Sequence, residues 1–185
     1  GDSTDNPTIT VATASAVGLV FEQCELALGG SNGLGRIVIG DSAANRARCL
    51  VRLIDTDVRF AATGHSFNLR DVHLFEWLGG TILGTMPTGG LFEGTVGFSG
   101  IVRCRGVDFS PLGSNSIIDV ITGGDWCGYY HIERCKLGAS FDHTVGAFAG
   151  HHSAKVFFDN CDSGDTNYKM AHVSYAGSVD HNITT

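Results

Sequence analysis

Carboxylate side chains are the groups of this sequence that could act on a substrate. Hydrolysis of a glycosidic bond needs two carboxyl groups roughly 5–10 Å apart, one acting as an acid and one as a base or nucleophile. A lyase or hydrolase acting on acidic glycans would draw first on four residues: Asp57, Asp108, Asp125 and Glu133. If the chain is an enzyme, we expect the reaction to depend on these residues.

Aromatic residues beside carboxylates form a second candidate site. Sugars stack on aromatic rings, and the pairs Glu76-Trp77 and Asp125-Trp126 place a ring next to a carboxylate. The candidates for glycan contact are Trp77, Trp126, Tyr129 and Tyr130. Aromatic rings also pack in cores and at subunit interfaces, and this is the alternative interpretation for the same four residues.

Histidine and cysteine do not indicate a metal site. His151 and His152 are adjacent, and neighbouring residues on a strand point to opposite faces. The six cysteines are Cys24, Cys49, Cys104, Cys127, Cys135 and Cys161. We predict free thiols because three of them share one position of a repeat, where they alternate with Thr and Val as small buried residues do. The glycine-rich stretch 29–35 lacks the lysine of a phosphate-binding loop, so no cofactor is predicted.

A short pattern recurs along the chain. It consists of an apolar residue, two variable residues, an anchor, one variable residue and usually another apolar residue. The proposed anchors are Cys24, Thr56, Val72, Val107, Cys135 and Cys161, with steps of 32, 16, 35, 28 and 26 residues. The step of 16 is anomalous. Either Val72 is not an anchor, or a further repeat within 72–100 has lost its motif.

The residues that follow the anchors are mostly charged. They are Glu25, Asp57, His73, Asp108, Lys136 and Asp162. On stacked strands they would form one outer row, where carboxylates could bind Ca²⁺ or perform acid-base chemistry. His73 and Lys136 interrupt the acidic residues, so we predict a solvated polar face and no metal.

Composition and period together predict an all-β fold. The 26 Gly among 185 residues make up twice the usual share, whereas only five Glu and three Lys are present to cover helix surfaces. A period near 27 residues is too short for a propeller blade and fits a parallel β-helix, a single-stranded solenoid of about six coils. In such a solenoid the two residues before each anchor would form a bend, often with Asp or Asn, as at Asp55, Asp71 and Asn160. The alternative is an antiparallel β-sandwich.

Charge and chain organisation limit the possible partners. The net charge of −7 offers no basic surface for nucleic acid, and no apolar run reaches the ~18 residues of a membrane span. We predict an N-terminal extension or junction over 1–16 and a β-helix domain over 17–185. The chain is expected to be a fragment of a longer protein.

Two segments give the chain a family resemblance. His131-Ile-Glu-Arg-Cys-Lys-Leu137 and Phe157-Phe-Asp-Asn-Cys-Asp162 resemble coils of right-handed parallel β-helices of the pectin-lyase-like superfamily, which includes pectate lyases, polygalacturonases and phage tailspikes. The resemblance implies a right-handed β-helix and a homotrimer. The lyase motif Arg-x-Pro-x-x-Arg and the hydrolase motifs of this superfamily have no match in the sequence, so no catalytic residue is carried over.

The sequence therefore favours a structural or adhesive role without enzymatic activity. We expect a component of a phage virion, such as a tailspike, fibre or capsid-associated protein. It would be assembled in the bacterial cytoplasm beside other virion proteins and would contact host surface polysaccharide. Secretion is the alternative location. The alternative functions are a polysaccharide lyase or hydrolase and a non-catalytic carbohydrate-binding module.

Overall fold

The structure, a computed structural model, describes residues 17–28, 36–38, 49–64, 66–69, 72–88, 91–94, 100–120, 129–138, 142–145, 155–162 and 179–184. Within these ranges the chain forms short strands and a single 3₁₀ turn, Ser110–Leu112. The prediction of an all-β fold is confirmed.

The strands belong to three sheets. Sheet 1 contains, in spatial order, β1 (Val17–Glu22), β4 (Cys49–Ile54), β7 (Val72–Leu78), β10 (Ile101–Arg105), β12 (Tyr129–Glu133), β14 (Lys155–Asp162) and β15 (Val179–Thr184). Sheet 2 contains β2 (Glu25–Leu28), β5 (Asp57–Phe60) and β8 (Ile82–Gly84). Sheet 3 contains β13 (Asp142–Val145), β11 (Ser116–Val120), β9 (Phe92–Gly94), β6 (Ser66–Asn68) and β3 (Arg36–Val38).

Strand pairing is parallel throughout the described residues. From β1 to β9 the chain visits sheets 1, 2 and 3 in turn, three times over. Each strand pairs with the strand one repeat earlier or later, as β1 does with β4 and β4 with β7. The antiparallel sandwich considered as the alternative is therefore wrong, because its strands would pair in opposite directions.

The register of sheets 1 and 2 corrects one anchor of the repeat. Leu53 pairs with Trp77, and Val58 pairs with Ile82. Gly80 is thus the residue that corresponds to Thr56, and Val72 is not an anchor. The anchors Cys24, Thr56, Gly80, Val107, Cys135 and Cys161 are separated by 32, 24, 27, 28 and 26 residues, so the anomalous short step disappears.

A left-handed residue precedes every anchor. The corner residues are Gln23, Asp55, Gly79, Gly106, Arg134 and Asn160, whose φ angles lie between +45° and +77°. The backbone N–H of each of the first five donates to a carbonyl in the next repeat, for example from Asp55 to Leu78 at 2.8 Å. The bend predicted at Asp55 and Asn160 is confirmed, and Asp71 lies outside the described residues. At Gln23, Asp55 and Gly79 the bend turns the chain from sheet 1 into sheet 2.

The core lies between the inner faces of the sheets. Alternate residues of sheet 1 point inward, as the buried Val102 and Cys104 do between the exposed residues of β10. Aromatic rings fill the centre, with Phe67 stacked on Phe92 at a centroid distance of 5.7 Å and Trp77 edge-on to Phe109 at 5.6 Å. Packing of this kind stabilises each repeat against the next one.

Buried thiols occupy part of the core. Cys24, Cys104, Cys135 and Cys161 are free, as predicted, and Cys24 alone of these four is exposed. Burial raises the pKa of the Cys104 thiol. The hydrogen bond with Cys161 and burial together raise the pKa of the Cys135 thiol. The Cys104 and Cys135 thiols are therefore protonated and act as small core residues.

Three anchors, Thr56, Cys135 and Cys161, share a hydrogen bond to the carbonyl two residues earlier. The Thr56 hydroxyl lies 2.9 Å from the carbonyl oxygen of Ile54 and 3.1 Å from that of Phe21. The Cys161 thiol contacts the corresponding carbonyls of Asp159 and Ile132 at 3.6 and 3.2 Å. A small side chain with one donor therefore fits this position, which explains the Thr and Cys anchors, whereas Gly80 and Val107 fit by size alone.

Candidate functional site

The residues after the corrected anchors form a continuous row that begins on sheet 2 and continues through single parallel bridges beyond it. This outer row consists of Glu25, Asp57, Thr81, Asp108, Lys136 and Asp162. His73, predicted to belong to it, lies on β7 in sheet 1 instead, because Val72 is not an anchor. Thr81 takes its place between Asp57 and Asp108.

Asp57 and Asp108 are the two candidate catalytic residues that share this surface. Two strand spacings separate their backbones by roughly 9–10 Å, and the separation that a hydrolase requires between its two carboxyl groups is roughly 5–10 Å. Both carboxylates are hydrogen-bonded to backbone. Asp57 Oδ1 accepts from the Thr81 N–H at 3.0 Å, and Asp108 Oδ1 accepts from the Ser110 N–H at 2.9 Å.

The charges of the outer row are paired across neighbouring strands. The Arg59 guanidinium donates to both oxygens of Glu25, at 2.6 and 3.1 Å. This hydrogen bond lowers the pKa of the Glu25 carboxyl and raises that of Arg59. Lys136 Nζ lies 3.8 Å from Asp108 Oδ2. These charged pairs therefore link neighbouring repeats.

The other two candidate carboxylates do not join this pair. Glu133 lies on the outside of sheet 1, and its Oε1 is 3.5 Å from both Arg105 Nε and Arg134 Nε. Asp125 lies outside the described residues. Among the ranges that the structure describes, no group of three or more His, Cys, Asp or Glu side chains could hold a metal ion.

The predicted glycan-contact residues are divided between the core and the surface. Trp77 and Tyr130 are fully buried, and Trp77 Nε1 donates to the Thr56 carbonyl at 3.0 Å. This corrects the prediction for both, because a buried ring offers no face to a sugar. Tyr129 is 46% exposed. Trp126 lies outside the described residues.

Three charged side chains that were not predicted from the sequence lie in a row across the outside of sheet 1. Arg52, Glu76 and Arg103 pair in register on β4, β7 and β10. Arg52 Nε donates to Glu76 Oε2 at 2.8 Å, and Arg103 Nη1 donates to Glu76 Oε1 at 3.4 Å. The Glu76 side chain is only 8% exposed. These residues stand four positions before their anchors, so the repeat aligned on Gly80 would have found them.

The Glu76 carboxylate is expected to stabilise three strands at once. Glu76→Gln removes the charge that both arginines contact and should lower the free energy of unfolding by roughly 1–3 kcal/mol. Denaturant unfolding followed by circular dichroism measures this change. Glu25→Gln is the matched control, because the Glu25–Arg59 pair is exposed and exposed pairs contribute little. Equal losses in both variants would contradict the prediction.

Comparison of the chain with protein-family models, with curated proteins and with solved structures gives no match. In the described part of the chain, no helix has the length and apolar character needed to cross a membrane. The function of the surfaces is therefore inferred from their geometry.

Proposed function

We propose that the chain is a structural element of a phage virion, a tailspike, fibre or capsid-associated protein, built as a right-handed parallel β-helix. The supporting observation is the pairing of the same repeat positions, in parallel and in register, from β1 to β14. Stacked repeats of this kind give a stiff element whose length grows with repeat number. The location in a virion assembled in the bacterial cytoplasm follows from the resemblance of the coil segments to tailspike β-helices.

The charged residues support a structural role over a catalytic one. Asp57 and Asp108 accept backbone N–H groups, while Glu25 and Glu76 are paired with arginines on neighbouring strands. A catalytic acid or base must be free to exchange a proton with the substrate. Carboxylates engaged in this way instead strengthen the contacts between repeats. In this proposal other virion proteins bind the element, and host polysaccharide contacts its surface.

Polysaccharide cleavage is the second candidate function, and the spacing of Asp57 and Asp108 favours it. The two carboxylates share one face about two strand spacings apart, with Thr81 between them. A glycan lying across the strands of sheet 2 would contact both. Tyr129, on sheet 1, is not on that face.

Electron microscopy of the purified chain, combined with an assay for oligosaccharide release from capsular polysaccharides, tests the proposal. We expect a stack about 30 Å long for each chain, since seven strands of sheet 1 lie ~4.8 Å apart, and no release by the wild type. Release by the wild type would contradict a purely structural role. Release that is lost in Asp57→Asn and in Asp108→Asn, but retained in Glu133→Gln, would establish the enzyme instead.

A further inference from the structure

The outer face of sheet 1 carries the exposed apolar residues of the described chain. Three large apolar side chains are exposed there: Val20 by 57%, Ile101 by 36% and Tyr129 by 46%. All three lie on strands of sheet 1 at positions that alternate with core residues. Among the side chains whose burial the structure describes, these three are the exposed large apolar ones.

The strand register places Ile101 and Tyr129 in one continuous row with two further apolar residues. Leu50 pairs with Leu74, Leu74 with Ile101, and Ile101 with Tyr129. Leu50 and Leu74 are half-buried. This apolar row, Leu50-Leu74-Ile101-Tyr129, crosses four adjacent strands on the side of the sheet that faces away from the core. An outward row facing solvent would ordinarily be polar.

The charges next to the apolar row nearly cancel. Three arginines and four carboxylates lie on the same face: Arg52, Arg103, Arg105, Glu22, Glu76, Glu133 and Asp159. The chain as a whole carries −7. Two copies of the chain therefore repel each other over most orientations, but repulsion is weak when these faces meet.

The residue types favour a protein surface over a sugar as the occupant. Aliphatic side chains such as Leu74 and Ile101 offer neither a flat ring nor a hydrogen bond to a glycan. Tyr and Arg together with aliphatic residues are the composition of protein interfaces. Closed three-fold contacts join two unlike surfaces, whereas a self-complementary patch joins two copies by a two-fold axis. The apolar row is a patch of this self-complementary kind.

We propose that the outer face of sheet 1 binds the same face of a second copy of this chain, with the apolar row at its centre. A copy related by a two-fold axis that runs along the strands between β7 and β10 places Leu74 opposite Ile101 and Leu50 opposite Tyr129. The pairing depends on this face and not on the proposed virion role, and it differs from the homotrimer that the family resemblance implies.

Sedimentation equilibrium of the full chain and two variants tests the pairing. We expect a dimer for the wild type. Ile101→Asp buries an unpaired carboxylate at the contact and should raise the dimer dissociation constant by about 100-fold or more. Leu83→Asp is the matched control, because half-buried Leu83 lies on the outside of sheet 2, and it should remain a dimer.

Several outcomes would overturn the pairing. These are a monomeric wild type at about 100 μM, a trimer, or an Ile101→Asp variant that dimerises like the wild type. Circular dichroism checks that each variant is folded. If Ile101→Asp does not fold, Tyr129→Asp at the more exposed end of the row replaces it, with the same two outcomes. A monomer that releases no oligosaccharide would overturn the pairing and leave the structural role intact.

Discussion

Replacing Gly80 by alanine is expected to lower the free energy of unfolding by roughly 3–5 kcal/mol, since it combines backbone strain with a steric overlap. Gly80 has a φ of +98°, and an added Cβ would stand 2.7 Å from the carbonyl carbon of Thr56 and nearer still to its oxygen. The obstacle is backbone of the preceding repeat, which cannot move without breaking contacts between β5 and β8.

Gly106 provides the matched control. It also has a positive φ, +65°, but an added Cβ would meet nothing within 4 Å. Gly106→Ala should therefore cost only the strain of the left-handed conformation, about 1 kcal/mol. Gly106→Asn should cost less, because Asn160 adopts this conformation at the equivalent corner. Thermal and denaturant unfolding measure all three variants, and similar losses for Gly80→Ala and Gly106→Ala would refute the steric argument.

Truncating Trp77 to alanine should destabilise the chain by about 3–5 kcal/mol, the cost typical of removing a large buried aromatic side chain. Trp77 is fully buried and contacts Phe67 and Phe109 edge-on. Its indole N–H also donates to Thr56, so the variant loses a hydrogen bond between neighbouring repeats. Chemical denaturation with near-ultraviolet circular dichroism follows the loss.

Two further measurements separate a core role from glycan contact. Trp77→Phe keeps most of the ring volume and should recover more than half of the loss. Tyr129→Ala removes an exposed ring and should leave monomer stability nearly unchanged. A Trp77→Ala variant with wild-type stability but weaker binding to a polysaccharide would restore the glycan interpretation and contradict the buried geometry.

The all-β class and most of the repeat could be predicted from the sequence because both follow from local patterns of residue types. The anchors Cys135 and Cys161 and the bends before them were predicted correctly. At Asn160 the left-handed conformation favours Asn, which the sequence shows directly. Val72 was wrong because Leu69, Val72 and Leu74 match the apolar spacing by chance. The true anchor, Gly80, has no side chain, so it does not match a pattern of small buried side chains. Only the strand pairing shows that it is the anchor.

The candidate site was harder to predict because it depends on which face each residue takes. Trp77 lies beside Glu76 in sequence, yet the two point to opposite sides of β7, one into the core and one to the outer face. Correct alignment of the repeat on Gly80 would have placed Trp77 with Leu53 and Cys104, which are buried. The contact between Glu76 and two arginines needs three strands in register, which no single segment of sequence displays.

The pairing of each strand with its immediate repeat neighbours has a consequence for how the chain is made. Strands β1, β4, β7 and β10 pair in chain order. Each newly synthesised repeat therefore pairs with the repeat that was completed just before it. The loop that must close stays near 27 residues however many repeats follow, and the entropy of closure does not grow with chain length. Each repeat therefore pairs with the repeat before it without needing any later part of the chain.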